Sequence, residues 1–176
     1  MNLLPYFFCF IALAAITLQD FSQRQIAWYW LPILLAGIIL LNVQRNELKN
    51  MISFFITNVC FVVFQLIVLI IYFSIKNKKL TNIIDHYIGL GDVLFFIVLC
   101  TVFSPLNFLV FYIISLLLIL LTFFTYNTVS KKIIQHIPLA GAMALCLIFC
   151  FVYKYTNNNF NFYNDSRMIE LLTYST

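Results

Sequence analysis

The chain has 176 residues, of which 64% are hydrophobic, 18% aromatic and only 9% charged, with a net charge of +4 at pH 7. Soluble domains carry about 25% charged residues, so this chain lacks the polar surface of a water-soluble fold, and its apolar content excludes a disordered chain. These proportions predict a polytopic membrane protein surrounded by the lipid bilayer. The positive charges lie in loops without interleaved aromatic side chains, so no nucleic-acid partner is expected.

Six apolar segments follow one another along the chain, over residues 3–20, 26–41, 52–75, 88–104, 106–126 and 137–155. They are apolar on every face, whereas outer-membrane strands alternate apolar and polar residues. Lipid also requires that each backbone N–H and C=O be satisfied within its own segment. The sequence therefore predicts an all-α fold, a bundle of about six transmembrane helices over residues 1–155. A polar, Asn-rich and loosely ordered tail is expected over residues 156–176.

Basic residues predict the orientation of this bundle. The first segment lacks a preceding basic region and the next segment follows closely, so we expect it to be retained rather than cleaved as a secretory signal. If the loop after it is cytoplasmic, the cytoplasmic side holds Arg24, Lys76, Lys78, Lys79, Lys131 and Lys132. The other side holds Arg45 and Lys49, with Lys154 and Arg167 near the tail. This bias predicts an N-terminus outside and three loops inside.

Cysteine spacing gives no indication of a metal or redox centre. The five cysteines are Cys9, Cys60, Cys100, Cys146 and Cys150, and all lie within apolar segments. None forms a CxxC pair, so we interpret them as small buried hydrophobic residues and expect no metal site.

Two acidic residues lie close to or within the apolar segments. Asp20 closes the first segment, and Asp92 lies a few residues inside the fourth, in the sequence Gly89-Leu90-Gly91-Asp92. An ionisable residue in a membrane helix costs about 2.5–3.5 kcal/mol on insertion scales, so its default interpretation is functional. Between the two aspartates the chain crosses the bilayer twice, so both carboxylates return to the same face.

Two carboxylates that share a site cannot both ionise easily, so one of them stays protonated near neutral pH. The ionised partner can then deprotonate a water molecule while the neutral one polarises a carbonyl group. Gly89 and Gly91 suit such a site because they lack side chains and let a substrate backbone approach closely. The sequence thus predicts a catalytic dyad of Asp20 and Asp92.

Structural roles remain the alternative for each residue taken singly. Asp20 could end a helix in the headgroup region, and the paired glycines could form a helix-packing surface. Asp85 and His86 precede the fourth segment and are interpreted as interfacial residues, because the intramembrane Asp92 is a better catalytic candidate.

These residues together resemble the type IV prepilin peptidase family, the GxGD aspartic peptidases of bacterial and archaeal membranes. That family typically has an aspartate that closes a helix and is followed by a basic residue and an Ile-Pro, then the GxGD motif, then a lysine-bearing loop and a second Ile-Pro. The matching residues are Asp20, Arg24 and Ile26, then Gly89 to Val93, then Lys131, Lys132, Ile137 and Pro138. The likeness spans residues 1–155. The chain departs from the pattern at Ala27, Trp28 and Leu94, and it lacks the paired CxxC motifs of larger, methylating members.

The resemblance implies an intramembrane aspartic endopeptidase of the bacterial inner membrane, with its aspartates near the cytoplasmic face. It would cleave the short basic leader from type IV prepilin or pseudopilin precursors. Asp20 and Asp92 would share the roles of general acid and base, Gly89 and Gly91 would admit the substrate, and Arg24 would support the site. Water would be the nucleophile, and no cofactor is implied.

Other interpretations stay open at this point. Presenilins and signal peptide peptidases have a similar GLGD motif, but they have nine spans and carry their first aspartate in the preceding helix. A small proton- or ion-coupled transporter could use the same two aspartates as an ion relay. A structural subunit of a secretion apparatus would not need either aspartate. The sequence does not indicate the oligomeric state.

Overall fold

The computed structural model describes residues 3–78, 89–130, 138–156, 161–165 and 169–170. Within these residues the chain forms six helices and no strand, which confirms the predicted all-α fold. The helices are α1 (Leu4–Gln23), α2 (Trp30–Gln44), α3 (Leu48–Asn77), α4 (Leu90–Leu99), α5 (Pro105–Ser130) and α6 (Leu139–Thr156). Each corresponds to one of the six apolar segments.

Four of these helices, α1, α3, α5 and α6, are long and apolar enough to cross a membrane. Helices α2 and α4 are apolar but have only 15 and 10 residues. At 1.5 Å per residue they are about 22 and 15 Å long, against a hydrocarbon core of about 30 Å. The protein is therefore a helical membrane protein, and of the six predicted helices four have full spanning length.

Helix α4 is shorter than its apolar segment because the chain turns before Pro105. The turn covers residues 100–104, and two of its carbonyl groups are satisfied by a side chain from α3. Asn58 Nδ2 donates to the carbonyl of Cys100 at 3.0 Å and to that of Phe103 at 2.9 Å. A polar residue in the middle of α3 thus replaces the backbone bonds that a continued helix would have made.

Helix α1 lies at the centre of the bundle and packs against α2 and α6 along most of its length. The α1–α2 contact is close because Gly37 has no side chain: a Cβ atom there would lie 2.7 Å from Cys9 Sγ. Helix α4 packs against α2 and α6, whereas α3 lies at the outside and touches α2 and α5. Only Met51, Asn58 and Val62 of α3 are buried, so most of its apolar surface faces outward toward lipid.

Alternating helix directions give the bundle two polar ends. We call one the aspartate end; it contains the end of α1 and the starts of α2, α4 and α6. We call the other the tail end; it contains the start of α1, the α2–α3 and α4–α5 turns, the end of α6 and residues 161–165. Between them the core is apolar, and its fully buried members include Leu13, Ile16, Leu34, Phe95 and Leu147.

Residues 161–165 pack against the other elements of the tail end. Phe162 and Tyr163 are buried, and Tyr163 Oη donates to the carbonyl of Thr101 at 2.6 Å while accepting from Asn42 Nδ2 at 2.8 Å. Burial raises the pKa of Tyr163, so the phenol stays a neutral donor. The expectation of a loosely ordered tail does not hold for these five residues.

A buried lysine also belongs to the tail end. Lys154, near the end of α6, is 5% exposed, and its Nζ lies 4.0 Å from the ring centroid of Phe162. This is the geometry of a cation–π contact. Nearby, Arg45 Nη2 donates to Tyr6 Oη at 2.9 Å, which joins the turn after α2 to the start of α1. The tail end is therefore closed by aromatic rings and polar side chains.

Candidate active site

The aspartate end brings together the last turn of α1, the first turn of α4 and the first turn of α6. Asp20 comes from α1 and Asp92 from α4, as the sequence predicts for residues separated by two crossings. The third element, the start of α6, contributes Ala140 and Gly141. The sequence did not indicate these two residues.

Asp20 is buried, with 6% of its surface exposed. Its Oδ2 accepts a hydrogen bond from the backbone N–H of Gly141 at 2.6 Å. Its own carbonyl accepts the N–H of Arg24 at 3.0 Å, which ends α1. Arg24 adopts the left-handed conformation, with φ 54° and ψ 31°, so the chain turns away from the helix one turn after the aspartate.

Asp92 lies in the first turn of α4 and is half-buried. Its Oδ1 accepts a hydrogen bond from the backbone N–H of Ala140 at 3.1 Å. Gly89 precedes the helix in an extended conformation, with φ −66° and ψ 143°, and its carbonyl accepts the N–H of Asp92 at 3.0 Å. The GxGD motif thus forms the start of a helix, with the aspartate side chain directed toward α6.

The start of α6 is the element that holds both carboxylates. Its first internal bond runs from the N–H of Ala142 to the carbonyl of Pro138, at 3.2 Å. The N–H groups of Ala140 and Gly141 precede that bond and have no partner within the helix. They donate instead to the two aspartates, at the positive end of the helix dipole.

Two consecutive N–H donors bring the carboxylates close together. The accepting oxygens lie 3.1 Å from the nitrogen of Ala140 and 2.6 Å from that of Gly141. Since neighbouring backbone nitrogens are separated by only three covalent bonds, these two oxygens are at most about 9 Å apart. The structure therefore brings the two predicted site residues into one pair.

Gly141 is required at this position by space. A Cβ atom on it would lie 2.8 Å from Asp20 Cβ and 2.9 Å from Asp20 Oδ2, closer than real Cβ contacts occur. Backbone donors have no side-chain signature, which is why sequence reasoning missed them. The sequence contains one indication of these donors. Two small residues, Ala140 and Gly141, come shortly after Pro138, at a helix start where backbone N–H groups have no partner within the helix.

The two predicted glycines line the same site but have different surroundings. A Cβ atom on Gly89 would lie 3.3 Å from Asp92 Oδ2, so this glycine leaves room for the carboxylate itself. A Cβ atom on Gly91 would meet Ile26 at 3.4 Å, which is an ordinary contact. Gly89 is exposed, as expected of a position open to an approaching ligand.

Both aspartates line one cavity of about 290 Å³ at the aspartate end. Its lining consists of Asp20, Arg24, Gln25, Ile26, Gly89, Leu90, Gly91 and Asp92. All five residues predicted for the site are therefore on its wall. The segment after α1 is held in place by Gln19, whose Oε1 accepts the N–H of Ala27 at 3.1 Å. The wall combines two carboxylates, one guanidinium group, one carboxamide group and apolar side chains.

Several sequence-predicted features lie outside the described residues. These are Asp85, His86, Lys79, Lys131, Lys132, Ile137 and Arg167. Within the described part of the chain, no three His, Cys, Asp or Glu side chains gather as they would around a metal ion. Comparison of the chain with protein-family models, curated proteins and solved structures found no match.

Proposed function

We propose that the protein is an intramembrane aspartic endopeptidase of the type IV prepilin peptidase kind. The observation that carries this proposal is the pair of carboxylates from α1 and α4, both hydrogen-bonded by consecutive N–H groups of α6 and both lining one cavity. Paired carboxylates beside a cavity at a bundle end are suited to activating water and polarising a carbonyl. The resemblance of Asp20, Arg24 and the GxGD motif to that family supports the same chemistry.

The substrates would be type IV prepilin or pseudopilin precursors, cleaved at the cytoplasmic face of the bacterial plasma membrane. A basic leader is not attracted by loops that carry lysines, so we expect recognition to depend on the hydrophobic helix of the precursor. Removing the leader's basic charges should then leave cleavage intact, while polar substitutions in the precursor helix should abolish it. The opposite pattern would contradict this mode of recognition.

The apolar core supports a peptidase over an ion-coupled transporter. A transporter needs polar groups along a path across the membrane, but Leu13, Ile16 and Leu147 are fully buried between the two polar ends. The polar side chains that α3 carries in its middle serve packing: Asn58 satisfies the turn after α4, and Gln65 hydrogen-bonds Tyr112. Proteoliposomes that show ion flux without proteolysis would contradict the peptidase.

Cleavage of a co-expressed prepilin-like precursor, read as a size shift, tests the proposal. The wild type should cleave, and Asp20→Asn and Asp92→Asn should each lower cleavage strongly at equal membrane levels. Asp165→Asn is a matched control, because Asp165 lies at the tail end, where its Oδ1 accepts from Ser104 Oγ. Full cleavage by either Asp20→Asn or Asp92→Asn would remove that residue from the mechanism. No cleavage of several precursors by the wild type would contradict the proposal.

A further inference from the structure

The two aspartates occupy opposite ends of their own helices. Asp20 lies in the last turn of α1, where the free carbonyl groups carry partial negative charge, and Asp92 lies in the first turn of α4, where the free N–H groups carry partial positive charge. The start of α6 acts on both, with one N–H donated to each carboxylate. The helix that carries each residue therefore disfavours a negative charge on Asp20 and favours one on Asp92.

The exposure of the two carboxylates to water also favours a neutral Asp20 and a charged Asp92. Asp20 is 6% exposed, whereas Asp92 is only half-buried and follows the exposed Gly89 and Leu90. A charged carboxylate loses more solvation energy on burial than a neutral one. A base that activates water must also be reached by water. The charged and titratable side chains of the described residues that line the cavity are Asp20, Asp92 and Arg24.

The hydrogen bonds indicate which oxygen atoms take part. Asp20 Oδ2 accepts the N–H of Gly141, a bond that the carbonyl oxygen of a neutral carboxylic acid accepts as well. A proton on Asp20 is then carried by Oδ1. The Asp92 carboxylate accepts hydrogen bonds from two backbone groups, the N–H of Ala140 on Oδ1 and the backbone of Gly89, and such bonds favour its charged form.

We infer that Asp20 carries a proton and is the general acid, and that Asp92 is ionised and is the general base; this rests on the proposed peptidase function. A water oxygen attacks the substrate carbonyl carbon as its proton passes to the Asp92 carboxylate and the proton of Asp20 passes to the carbonyl oxygen. In the resulting diol the C–N bond breaks. The leaving nitrogen takes the proton from Asp92, and one hydroxyl proton returns to Asp20, which restores both residues.

Amide substitutions test the assignment, because asparagine can donate a hydrogen bond but cannot accept a proton from water. Purified Asp20→Asn should retain slow cleavage, reduced on the order of 10²-fold, the lower range for loss of an acid–base group. Asp92→Asn lacks the base and Asp20→Ala lacks the donor. The cleavage rate of each should lie at least about tenfold below that of Asp20→Asn. Residual activity in Asp92→Asn but not in Asp20→Asn, or equal values for all three variants, would overturn the assignment.

Infrared spectroscopy provides a measurement that does not depend on activity. The carbonyl band of a protonated carboxylic acid should be present in the wild type, retained in Asp92→Asn and weakened in Asp20→Asn. A band lost in Asp92→Asn and kept in Asp20→Asn would reverse the two roles. A wild type that cleaves no precursor would instead contradict the proposed function, and the assignment of roles with it.

Discussion

Gly141 connects local geometry to the proposed chemistry at the scale of one residue. Its N–H donates to Asp20 Oδ2, and its missing side chain leaves the space that Asp20 occupies. A hydrogen bond between neutral groups contributes about 0.5–1.5 kcal/mol, and a displaced catalytic group can lower a rate on the order of 10²-fold. One backbone position therefore determines both where the carboxylate lies and what it can bind.

Gly141→Ala is expected to abolish most cleavage while the protein remains folded. The added Cβ would lie 2.8 Å from Asp20 Cβ, so the carboxylate must move away from its donor. The matched variant is Gly37→Ala, whose Cβ would lie 2.7 Å from Cys9 Sγ, between α1 and α2. Overpacking of this kind costs about 1–3 kcal/mol of stability.

The two variants should differ in cleavage rate per folded molecule, measured beside melting temperature in detergent. Gly37→Ala should have a lower melting temperature and an unchanged cleavage rate. The cleavage rate of Gly141→Ala should fall at least about tenfold. A Gly141→Ala protein with the wild-type rate would show that the contact with Asp20 does not position the carboxylate for catalysis.

At the scale of elements, the length of α4 depends on a side chain from another helix. Asn58 of α3 satisfies the carbonyls of Cys100 and Phe103, which lets the chain leave the helix after only ten residues. This early end allows α4 to present Asp92 at one side and turn into α5 at the other. Helix α3 thus supports the site without lining its cavity.

Asn58→Leu should destabilise the protein, because it leaves two buried carbonyl groups without their donor. Each unsatisfied group costs about 1–3 kcal/mol. Ile56→Leu is the control on the same helix, since Ile56 is 61% exposed. Thermal unfolding in detergent should show a clearly lower melting temperature for Asn58→Leu and little change for Ile56→Leu. Equal melting temperatures would mean that water or a shifted backbone satisfies the turn.

Phe162→Ala should also destabilise the fold, although this residue lies beyond the last long helix. Phe162 is 2% exposed and its ring packs against Phe103, at 4.9 Å between centroids, and against the Lys154 ammonium. Removing a buried phenylalanine costs about 3–5 kcal/mol. Phe149→Ala, on the exposed face of α6, should have little effect. A similar melting temperature for both variants would mean that residues 161–165 contribute little to the bundle.

The elements differ in how far the sequence predicts them. Long apolar runs predict all six helices, since lipid leaves the backbone few alternatives, but the early end of α4 depends on Asn58, a contact between distant segments. The residues of the site also differ in how far the sequence predicts them. Asp20 and Asp92 follow from counting crossings, whereas the donors of Ala140 and Gly141 are backbone atoms whose role appears only once α6 is packed against α1. The burial of Phe162 likewise depends on contacts that local composition does not show.

At the scale of the whole molecule, the orientation of the bundle determines which solution reaches the cavity. Exposed Trp28 and Tyr29 lie at the aspartate end, and exposed Tyr153 and Tyr155 lie at the tail end. Aromatic side chains of this kind are enriched at both membrane–water interfaces. We therefore expect the cavity and its two aspartates to lie close to one interface, on the side for which the basic residues predict the cytoplasm.

Labelling of single cysteines should test this orientation. In a chain whose five cysteines are replaced, Ser22→Cys at the aspartate end should react with a membrane-impermeant maleimide only from the cytoplasmic side. Lys49→Cys at the tail end should react only from outside. Both positions are exposed. The reverse pattern in intact cells and inverted vesicles would contradict the proposed cytoplasmic cleavage.

The unequal lengths of the helices also affect the surrounding lipid. The apolar part of α3, residues 52–75, is about 36 Å long, whereas α4 is about 15 Å long. A bilayer of one thickness cannot match both, so we expect α3 to tilt or the bilayer beside it to thicken. The short end of α4 makes no such demand on the lipid, because residues 100–104 are buried and residues 161–165 pack over them. The protein thus covers with its own chain the depth that α4 does not span.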